Sequence, residues 1–185
     1  MNPTLLIIDI QNDYFPGGKM ELSEMEAASD NAEKLLSYFR RNNLSIVFIQ
    51  HLATKPNASF FIPDTSGAEI HHSIQPLVSE TVIIKNFPNS FRNTNLHQHL
   101  QSIDSKDLVI CGAMSHMCID TTTRAATDLG YSCTVISDAC ATRDLVYNDQ
   151  KVKTVDVQIA FMAALNGTFA QVISTGQFLD STSSK

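Results

Sequence analysis

Apolar and polar positions alternate along this chain in blocks that predict strands and helices in turn. Short runs rich in Leu, Ile and Val, bounded by polar or glycine-containing segments, are typical of strands buried on both faces of a parallel sheet. Such runs predict strands at Thr4–Ile10, Ser45–Gln50, Thr81–Lys85, Asp107–Cys111, Ser132–Ser137 and Phe169–Ser174.

The segments between these runs place apolar residues three or four positions apart, as helices with one buried face do. They predict helices from a Ser23 cap to Asn43, from a Thr94 cap to Leu100, from Met117 to Leu129 and over Gln150–Leu165. For the last helix, the spacing predicts an inward stripe made of Val152, Val155, Ile159, Met162 and Ala163.

Strands and helices that alternate in this order predict a three-layer α/β/α fold with a mainly parallel, doubly wound sheet. The chain has 185 residues, of which 43% are hydrophobic, so it can bury a substantial core. We expect one domain over residues 1–180 and a frayed polar tail over residues 181–185. The irregular segment His51–Ser73 contains two prolines and a glycine. Segments of that length are usually functional loops or lids.

The charge balance narrows the class of partner. A formal net charge of −6 and a pI of about 5.4 argue against nucleic acid or an anionic membrane, and leave a small molecule as the expected ligand. The first residues lead directly into an apolar strand, so we expect no secretory signal, and no apolar run is long enough to cross a bilayer. The four cysteines form no CxxC pair, so we expect free thiols in a cytoplasmic protein.

The stretch from Leu108 to Asp120 passes from a buried strand to the first turn of a helix, with Cys118 near the join. If Ser115 is the N-cap, Cys118 is the third helical residue, close to free backbone N–H groups and the positive end of the helix dipole. Both features favour the thiolate, which is the nucleophilic form of cysteine. The alternative is that Cys118 is a small hydrophobic residue in the core.

Asp9 and Lys85 also lie at or just past the ends of predicted strands, where such sheets bind ligands. With Cys118 they can form a nucleophile system: Asp9 accepts the thiol proton, and Lys85 holds the charged groups in place. The backbone N–H groups of Met114 and Cys118 could then stabilise the oxyanion. Taken singly, the aspartate could form a turn and the lysine could extend to solvent.

Asp9, Lys85 and Cys118 each lie within a longer sequence motif. These motifs are Leu5–Tyr14, Ile84–Lys85 followed by Ser90, Phe91 and Thr94, Cys111–Cys118, Thr123–Ala126, Asp128–Tyr131 and Asp138–Thr142. In this order and spacing the sequence resembles the isochorismatase-like cysteine hydrolases over nearly its whole length.

The resemblance implies the isochorismatase-like hydrolase fold and a catalytic triad at Asp9, Lys85 and Cys118. It also implies a non-proline cis peptide between Ala113 and Met114, which shapes the oxyanion hole. Finally, it implies a homodimer or homotetramer with pockets near the subunit contacts.

Departures from the family pattern bear on the substrate. Nicotinamidases carry an Asp-x-His metal motif after the second strand, whereas this chain has Gln50, His51 and Leu52. We therefore expect no metal, no other cofactor and a substrate other than nicotinamide. Enzymes that cleave the vinyl ether of isochorismate lack the cysteine, so Cys118 favours an amide-type C–N bond. A vinyl-ether hydrolase and a thiol redox sensor that uses Cys118 remain alternatives.

Several other side chains are candidates for the substrate pocket. Aromatic residues on the loops near the site should line part of an apolar pocket, and others should belong to the core or to subunit contacts. Side chains two positions apart on a helix point away from each other. We therefore do not expect His116 to be the base for Cys118. The adjacent His71 and His72 point to opposite faces of an extended chain and cannot easily share one ion. The pocket candidates are Gln11, Phe15, Phe60, Phe87 and His116.

Overall fold

All six predicted strands lie in one sheet, which a computed structural model describes over residues 3–183. The eight strands of this described part are β1 Thr4–Ile8, β2 Ser45–His51, β3 Thr81–Lys85, β4 Asp107–Ala113, β5 Ser132–Ala141, β6 Leu145–Tyr147, β7 Gln150–Val152 and β8 Gln171–Ile173. The α-helices are α1 Met25–Arg41, α2 Leu96–Ser102, α3 Asp120–Asp128, α4 Thr154–Leu165 and α5 Thr175–Ser183.

The main sheet has the order β3-β2-β1-β4-β5-β8, and its neighbouring strands are parallel. The order runs one way from β1 to β3 and the other way from β4 to β8, so the sheet is doubly wound. This confirms the predicted fold class. The reversal lies between β1 and β4, and ligands bind at such a point in doubly wound sheets.

Alternate residues of each central strand pack on opposite faces of the sheet, because side chains in a strand alternate. Leu5 and Ile7 of β1 pack in a core with α1 and α5, whereas Leu6 and Ile8 pack in a second core with α2, α3 and α4. The four β1 residues are almost fully buried. The result is the predicted three-layer α/β/α architecture.

Helix α1 occupies most of its predicted range, but the predicted Ser23 cap was wrong: the helix begins at Met25, and the Ser23 hydroxyl lies 3.3 Å from Thr154 Oγ1 instead. The inward stripe is Met25, Ala28, Ala32, Leu35, Leu36 and Phe39. The helix ends after Arg40 and Arg41, and Asn43 then takes left-handed backbone with a φ of 51°. Basic residues in the last turn suit the negative end of the helix dipole.

The region before α4 differs from the prediction of one helix over Gln150–Leu165. Residues 145–152 form the β6-β7 hairpin, in which Asn148 and Asp149 both have positive φ. Two such residues make the tight turn that suits a two-residue hairpin. The helix begins only at Thr154, whose N–H and hydroxyl both donate to Asp144 Oδ1.

The predicted inward stripe of α4 was also largely wrong. The side chains of Val155 and Ile159 are 58% and 61% exposed, whereas Val157, Met162 and Leu165 are buried. Only Met162 belongs to both sets. This helix carries apolar residues around most of its circumference, so spacing alone could not select the buried face.

Other boundaries also differ from the prediction, among them the end of β1 and the start of the polar tail. Strand β1 ends at Ile8 rather than at Ile10, because the backbone turns out of the sheet at Asp9. Residues 181–183 of the predicted polar tail continue α5, where the hydroxyls of Ser181 and Thr182 donate to carbonyls three residues earlier. Residues 184–185 lie outside the described part of the chain.

The segment His51–Ser73 is attached to the 3-10 turn that follows β1. The Asp13 carboxylate, which is buried, accepts hydrogen bonds from the backbone N–H groups of Phe61 and Lys19. A Cβ atom on Gly67 would overlap this carboxylate, so the loop needs a residue without a side chain there. Within residues 3–183, no helix is long and apolar enough to cross a membrane.

Candidate active site

Three charged or nucleophilic side chains meet where the strand order reverses. Asp9 directly follows β1, Lys85 is the last residue of β3, and Cys118 lies in the turn after β4. The Lys85 Nζ atom is 2.7 Å from Asp9 Oδ2, and neither side chain is exposed. The Cys118 Sγ atom lies within 4.8 Å of an Asp9 carboxylate oxygen. The structure therefore brings together the three residues predicted from their positions at strand ends.

The backbone of β1 and β4 sets the spacing between Asp9 and the turn that carries the cysteine. Asp9 has left-handed backbone with a φ of 53°, and its N–H still donates to the Ile49 carbonyl. Gly112 of β4 pairs with Ile8 and has a φ of 123°. A Cβ atom at Gly112 would overlap the Ile8 carbonyl oxygen. Only glycine allows the two strands to approach this closely just before the site.

The Lys85 ammonium is held by acceptors on several sides. Besides Asp9, it contacts the carbonyl oxygens of Phe87 and Pro88 at 3.2 and 3.3 Å, and His51 Nδ1 at 3.3 Å. Burial acts to lower the pKa of Lys85, but the negative charge of Asp9 and the hydrogen bonds to Asp9 and Cys118 outweigh it and raise the pKa above its usual value. Lys85 is therefore a fixed positive charge at neutral pH.

The Cys118 side chain is a thiol at neutral pH, which corrects the sequence-based expectation of a thiolate. Burial raises the pKa of Cys118 to about 12; the Asp9 carboxylate adds to this increase, and Lys85 opposes it. The side chain is only 4% exposed. Desolvation penalises the charged form more than the helix terminus favours it. Asp9 Oδ1 has no hydrogen-bond partner among residues 3–183, so it is free to accept the thiol proton.

The turn around Cys118 differs from the predicted helix start. Residues Ser115–Ile119 form one π-helical turn, and α3 begins only at Asp120. The Ser115 side chain does not cap the helix as predicted: its Oγ atom lies 2.6 Å from Gln158 Oε1, a partner from α4 that local spacing could not reveal. Single π-helical turns such as Ser115–Ile119 are frequent at functional sites.

Met114 joins β4 to the π-helical turn, and the peptide bond between Ala113 and Met114 is cis. Met114 is the residue before this turn, and Cys118 is the fourth residue within it. Their assignment as oxyanion donors stays a prediction.

Residues 3–177 match the isochorismatase domain model, which covers almost all of the chain. The chain belongs to the isochorismatase family. This hydrolase is 53% identical over 179 residues to YddQ, an isochorismatase family protein of Bacillus subtilis, and the match covers 97% of this chain and 99% of YddQ. A crystal structure of an isochorismatase hydrolase from Oleispira antarctica superposes with a TM-score of 0.94 at 46% identity, over 97% and 96% of the two chains.

A more distant relative has a named activity. Streptothricin hydrolase of Streptomyces noursei is 30% identical over 141 residues, which are 76% of this chain and 50% of that protein.

In this isochorismatase-family hydrolase, Gln11 supports the site rather than offering a free amide to a substrate. The Gln11 side chain is fully buried, and its Oε1 atom accepts from the His51 N–H at 2.8 Å. Its Nε2 atom donates to the carbonyls of His51 and Ala68. Because all its polar atoms bond main chain, Gln11 fixes the end of β2 and leaves nothing for a ligand.

The aromatic candidates on the loops occupy different places. Phe15 is nearly buried and stacks on His71, with ring centroids 3.5 Å apart. Phe60 is half-buried and packs against Phe61 and Tyr14. Whether these rings contact a substrate stays a prediction.

The last two pocket candidates have polar partners of their own. The Phe87 ring lies 3.8 Å under the Arg92 guanidinium, while its carbonyl oxygen holds Lys85. His116 is half-buried, and its Nδ1 atom lies 2.6 Å from Thr142 Oγ1. The His116 side chain is therefore bonded within the protein, consistent with the expectation that it is not the base for Cys118.

Sequence reasoning missed two residues beside the triad, His51 and Tyr14. His51 Nδ1 lies 3.3 Å from Lys85 Nζ and 4.0 Å from Asp9 Oδ2. Tyr14 is fully buried, and the pKa of its hydroxyl is raised well above the usual value, chiefly by burial and then by the charges of Cys118 and Asp9. The available signal was that His51 directly follows the predicted strand Ser45–Gln50, at the sheet edge where Lys85 was also expected.

One group of possible metal ligands is present in the described part of the chain. Asp9, His51 and Cys118 each place one ligand atom within 4.8 Å of the others. The Lys85 ammonium already pairs with Asp9 there, so a divalent cation would meet a fixed positive charge. The expectation of a metal-free enzyme stays a prediction.

The geometry expected for His71 and His72 was wrong. Their rings lie side by side with centroids 4.0 Å apart, because residues 72–74 form a 3-10 turn instead of extended chain. The Nδ1 atom of His71 lies 2.8 Å from the Ser73 hydroxyl oxygen.

Proposed function

We propose that this isochorismatase-family hydrolase cleaves a C–N amide-type bond of a small molecule through a thioester on Cys118. The observation that carries the proposal is the buried cluster of Asp9, Lys85 and Cys118. In it one carboxylate oxygen is paired with the lysine and the other has no hydrogen-bond partner in residues 3–183. A paired and an unpaired oxygen on one carboxylate suit a base that must be held in place and still accept a proton.

The reaction follows from the protonation states. The Asp9 carboxylate removes the Cys118 proton as the sulfur attacks the substrate carbonyl carbon, since the thiol is not ionised beforehand. The carbonyl oxygen becomes an oxyanion, for which the Met114 and Cys118 amides are the proposed donors. Asp9 then gives its proton to the nitrogen, the C–N bond breaks, and the amine leaves.

The second half of the reaction regenerates the enzyme. Water attacks the thioester carbonyl and gives a proton to Asp9, and the acid product leaves as the carbon–sulfur bond breaks. Asp9 returns that proton to the sulfur. The Lys85 charge stabilises the negative charge on Asp9 or on the sulfur, whichever carries it at each step.

The names of two relatives support an amide-type bond. One is the streptothricin hydrolase, which is 30% identical to this chain. The other is Nicotinamidase 3 of Arabidopsis thaliana, which is 26% identical. Nicotinamide itself is not our proposed substrate, because Gln50, His51 and Leu52 stand where nicotinamidases carry their metal motif.

The redox-sensor alternative fits the geometry poorly. Redox-sensing cysteines are accessible and have lowered pKa values. Cys118 is 4% exposed and its pKa is raised to about 12. The vinyl-ether alternative requires no nucleophilic thiol, which leaves the arrangement of Cys118 beside Asp9 unexplained.

The test is a screen of amides, lactams and carbamoyl compounds for release of ammonia or amine. Intact-mass spectra of quenched reactions should show an adduct on Cys118 with the mass of the acyl group. Cys118→Ala should abolish turnover and the adduct while substrate binding persists. Cys133→Ala, which removes a buried thiol packed among core residues, is the matched control and should retain activity. Full activity in Cys118→Ala would refute the proposal.

A further inference from the structure

His51 is placed to act on the triad through Lys85. It is the last residue of β2, and Lys85 is its register partner at the end of β3. Its side chain is only 18% exposed, and its Nδ1 atom lies 3.3 Å from Lys85 Nζ. We infer that His51 is a positioning residue of the proposed hydrolase, whose neutral ring accepts a hydrogen bond from Lys85 and holds the ammonium against Asp9. This inference rests on the proposed function.

The chemistry of the pair assigns the ring tautomer. An ammonium group has donors and no acceptor, so the Nδ1 atom facing it must carry a lone pair, and the proton of the neutral ring lies on Nε2. Burial lowers the pKa of His51, the Lys85 charge lowers it further, and only the Asp9 charge opposes them. The ring is therefore neutral at pH 7.

Hydrogen bonds to the backbone of His51 and a contact with its ring fix the position of this side chain. Gln11 bonds both the N–H and the carbonyl of His51, at 2.8 and 2.9 Å, and is itself bonded to Ala68. The Phe61 ring lies beside the imidazole with centroids 5.8 Å apart. The bonds from Gln11 to the backbone and the contact with Phe61 limit the movement of the His51 ring, so its Nδ1 atom stays directed at Lys85.

The neutral state matters because of what surrounds the ring. The charged or titratable groups that face it are Asp9 from the end of β1, Lys85 from β3 and the Cys118 thiol from the π-helical turn. A charged His51 would be a second cation 4.0 Å from Asp9 Oδ2 and would compete with Lys85 for that oxygen. A neutral His51 instead supplies one of the acceptors that orient the lysine.

The first test reads the tautomer directly in the full chain labelled with ¹⁵N. Long-range ¹H–¹⁵N spectra distinguish rings protonated on Nδ1, on Nε2 or on both. We expect the His51 ring to be neutral and protonated on Nε2 at pH 7. A His51 ring that is charged, or protonated on Nδ1, would overturn the inference.

The second test uses iodoacetamide as the probe of Cys118, with the site of alkylation read by mass spectrometry. His51→Leu removes the acceptor that orients Lys85, so the ammonium stabilises the thiolate less well and alkylation of Cys118 at pH 9 should slow. The energy of one hydrogen bond to a charged group sets the upper limit of this effect, at roughly 10- to 100-fold. His51→Asn keeps an acceptor oxygen near the Nδ1 position and should restore most of the rate. Equal rates in the Leu and Asn variants would overturn the inference.

A matched control separates this effect from general loss of a histidine. His97 bonds the Tyr131 hydroxyl through Nδ1, away from the triad, so His97→Asn should leave alkylation of Cys118 unchanged. Neither readout depends on amide turnover. If the tautomer and the Asn rescue are as expected but the screen finds no hydrolysed amide, the proposed function fails and the role of His51 beside Lys85 stands.

Discussion

Replacing the two charged partners of Cys118 should move its thiol pKa in opposite directions. The Asp9 carboxylate raises the pKa of Cys118 and the Lys85 ammonium lowers it. Asp9→Asn should therefore bring the thiol closer to ionisation, and Lys85→Met should take it further away. Both variants should nevertheless lose amide hydrolysis, since the first removes the base and the second removes the charge that holds it.

The size of the Asp9 effect follows from the distance. Two unit charges up to 4.8 Å apart interact by roughly 3 kcal/mol at an effective dielectric constant of about 20. That energy corresponds to about two pKa units. The pKa of Cys118 should fall from about 12 to roughly 10 in Asp9→Asn, so the thiolate fraction at pH 9 should rise about 100-fold. The Phe87 and Pro88 carbonyls still hold the lysine in that variant.

The assay is the rate of alkylation of Cys118 by iodoacetamide as a function of pH, with the modified peptide identified by mass spectrometry. The rate near pH 9 should increase in Asp9→Asn and decrease in Lys85→Met, relative to the unmodified chain. Circular dichroism of each variant is the control for folding. Shifts of the same sign in the two folded variants, or no shift in either, would refute the electrostatic reasoning.

Four further predictions concern the same regions. Asp9→Asn and Lys85→Met should each lower kcat by several orders of magnitude. The double variant should be little slower than either single variant, because the groups act as a unit. A double variant in which the two losses of activation free energy add would contradict this. Gly112→Ala should lower the free energy of unfolding by roughly 3 kcal/mol or more, because its Cβ overlaps the Ile8 carbonyl, and urea unfolding would show it. Turnover should survive exhaustive dialysis against EDTA; a loss restored by zinc, iron or manganese would reverse the metal-free expectation and reopen nicotinamide. Light scattering should give the mass of a homodimer or homotetramer, and a monomer mass would count against the family-based expectation.

The fold and the three central residues could be predicted because their signals are local. A buried strand that ends in Asp9 or Lys85, or leads into the turn with Cys118, shows its position in the sequence itself. The convergence of strand ends in a parallel sheet then places the three side chains together. No long-range contact had to be known.

What could not be predicted depends on contacts across the sheet or on burial. The role that we infer for His51 depends on the pairing of β2 and β3, which places it level with Lys85, and that register is not written in either strand alone. The thiol pKa of Cys118 was misjudged because a helix terminus can be recognised in a sequence, whereas the desolvation of a side chain cannot. For α4, an apolar surface on nearly every side left Val155 and Ile159 assigned to the wrong face.

The anchoring of the loop by Asp13 has a consequence for engineering substrate range. The N–H of Phe61 and the bare backbone at Gly67 both meet this one carboxylate, which lies four positions after Asp9. A loop taken from a relative will pack in the same way only if it has a glycine opposite the Asp13 carboxylate and a backbone N–H that donates to that carboxylate. Loop libraries should therefore keep these two contact points constant and randomise the exposed positions between them, such as Ile62 and Thr65.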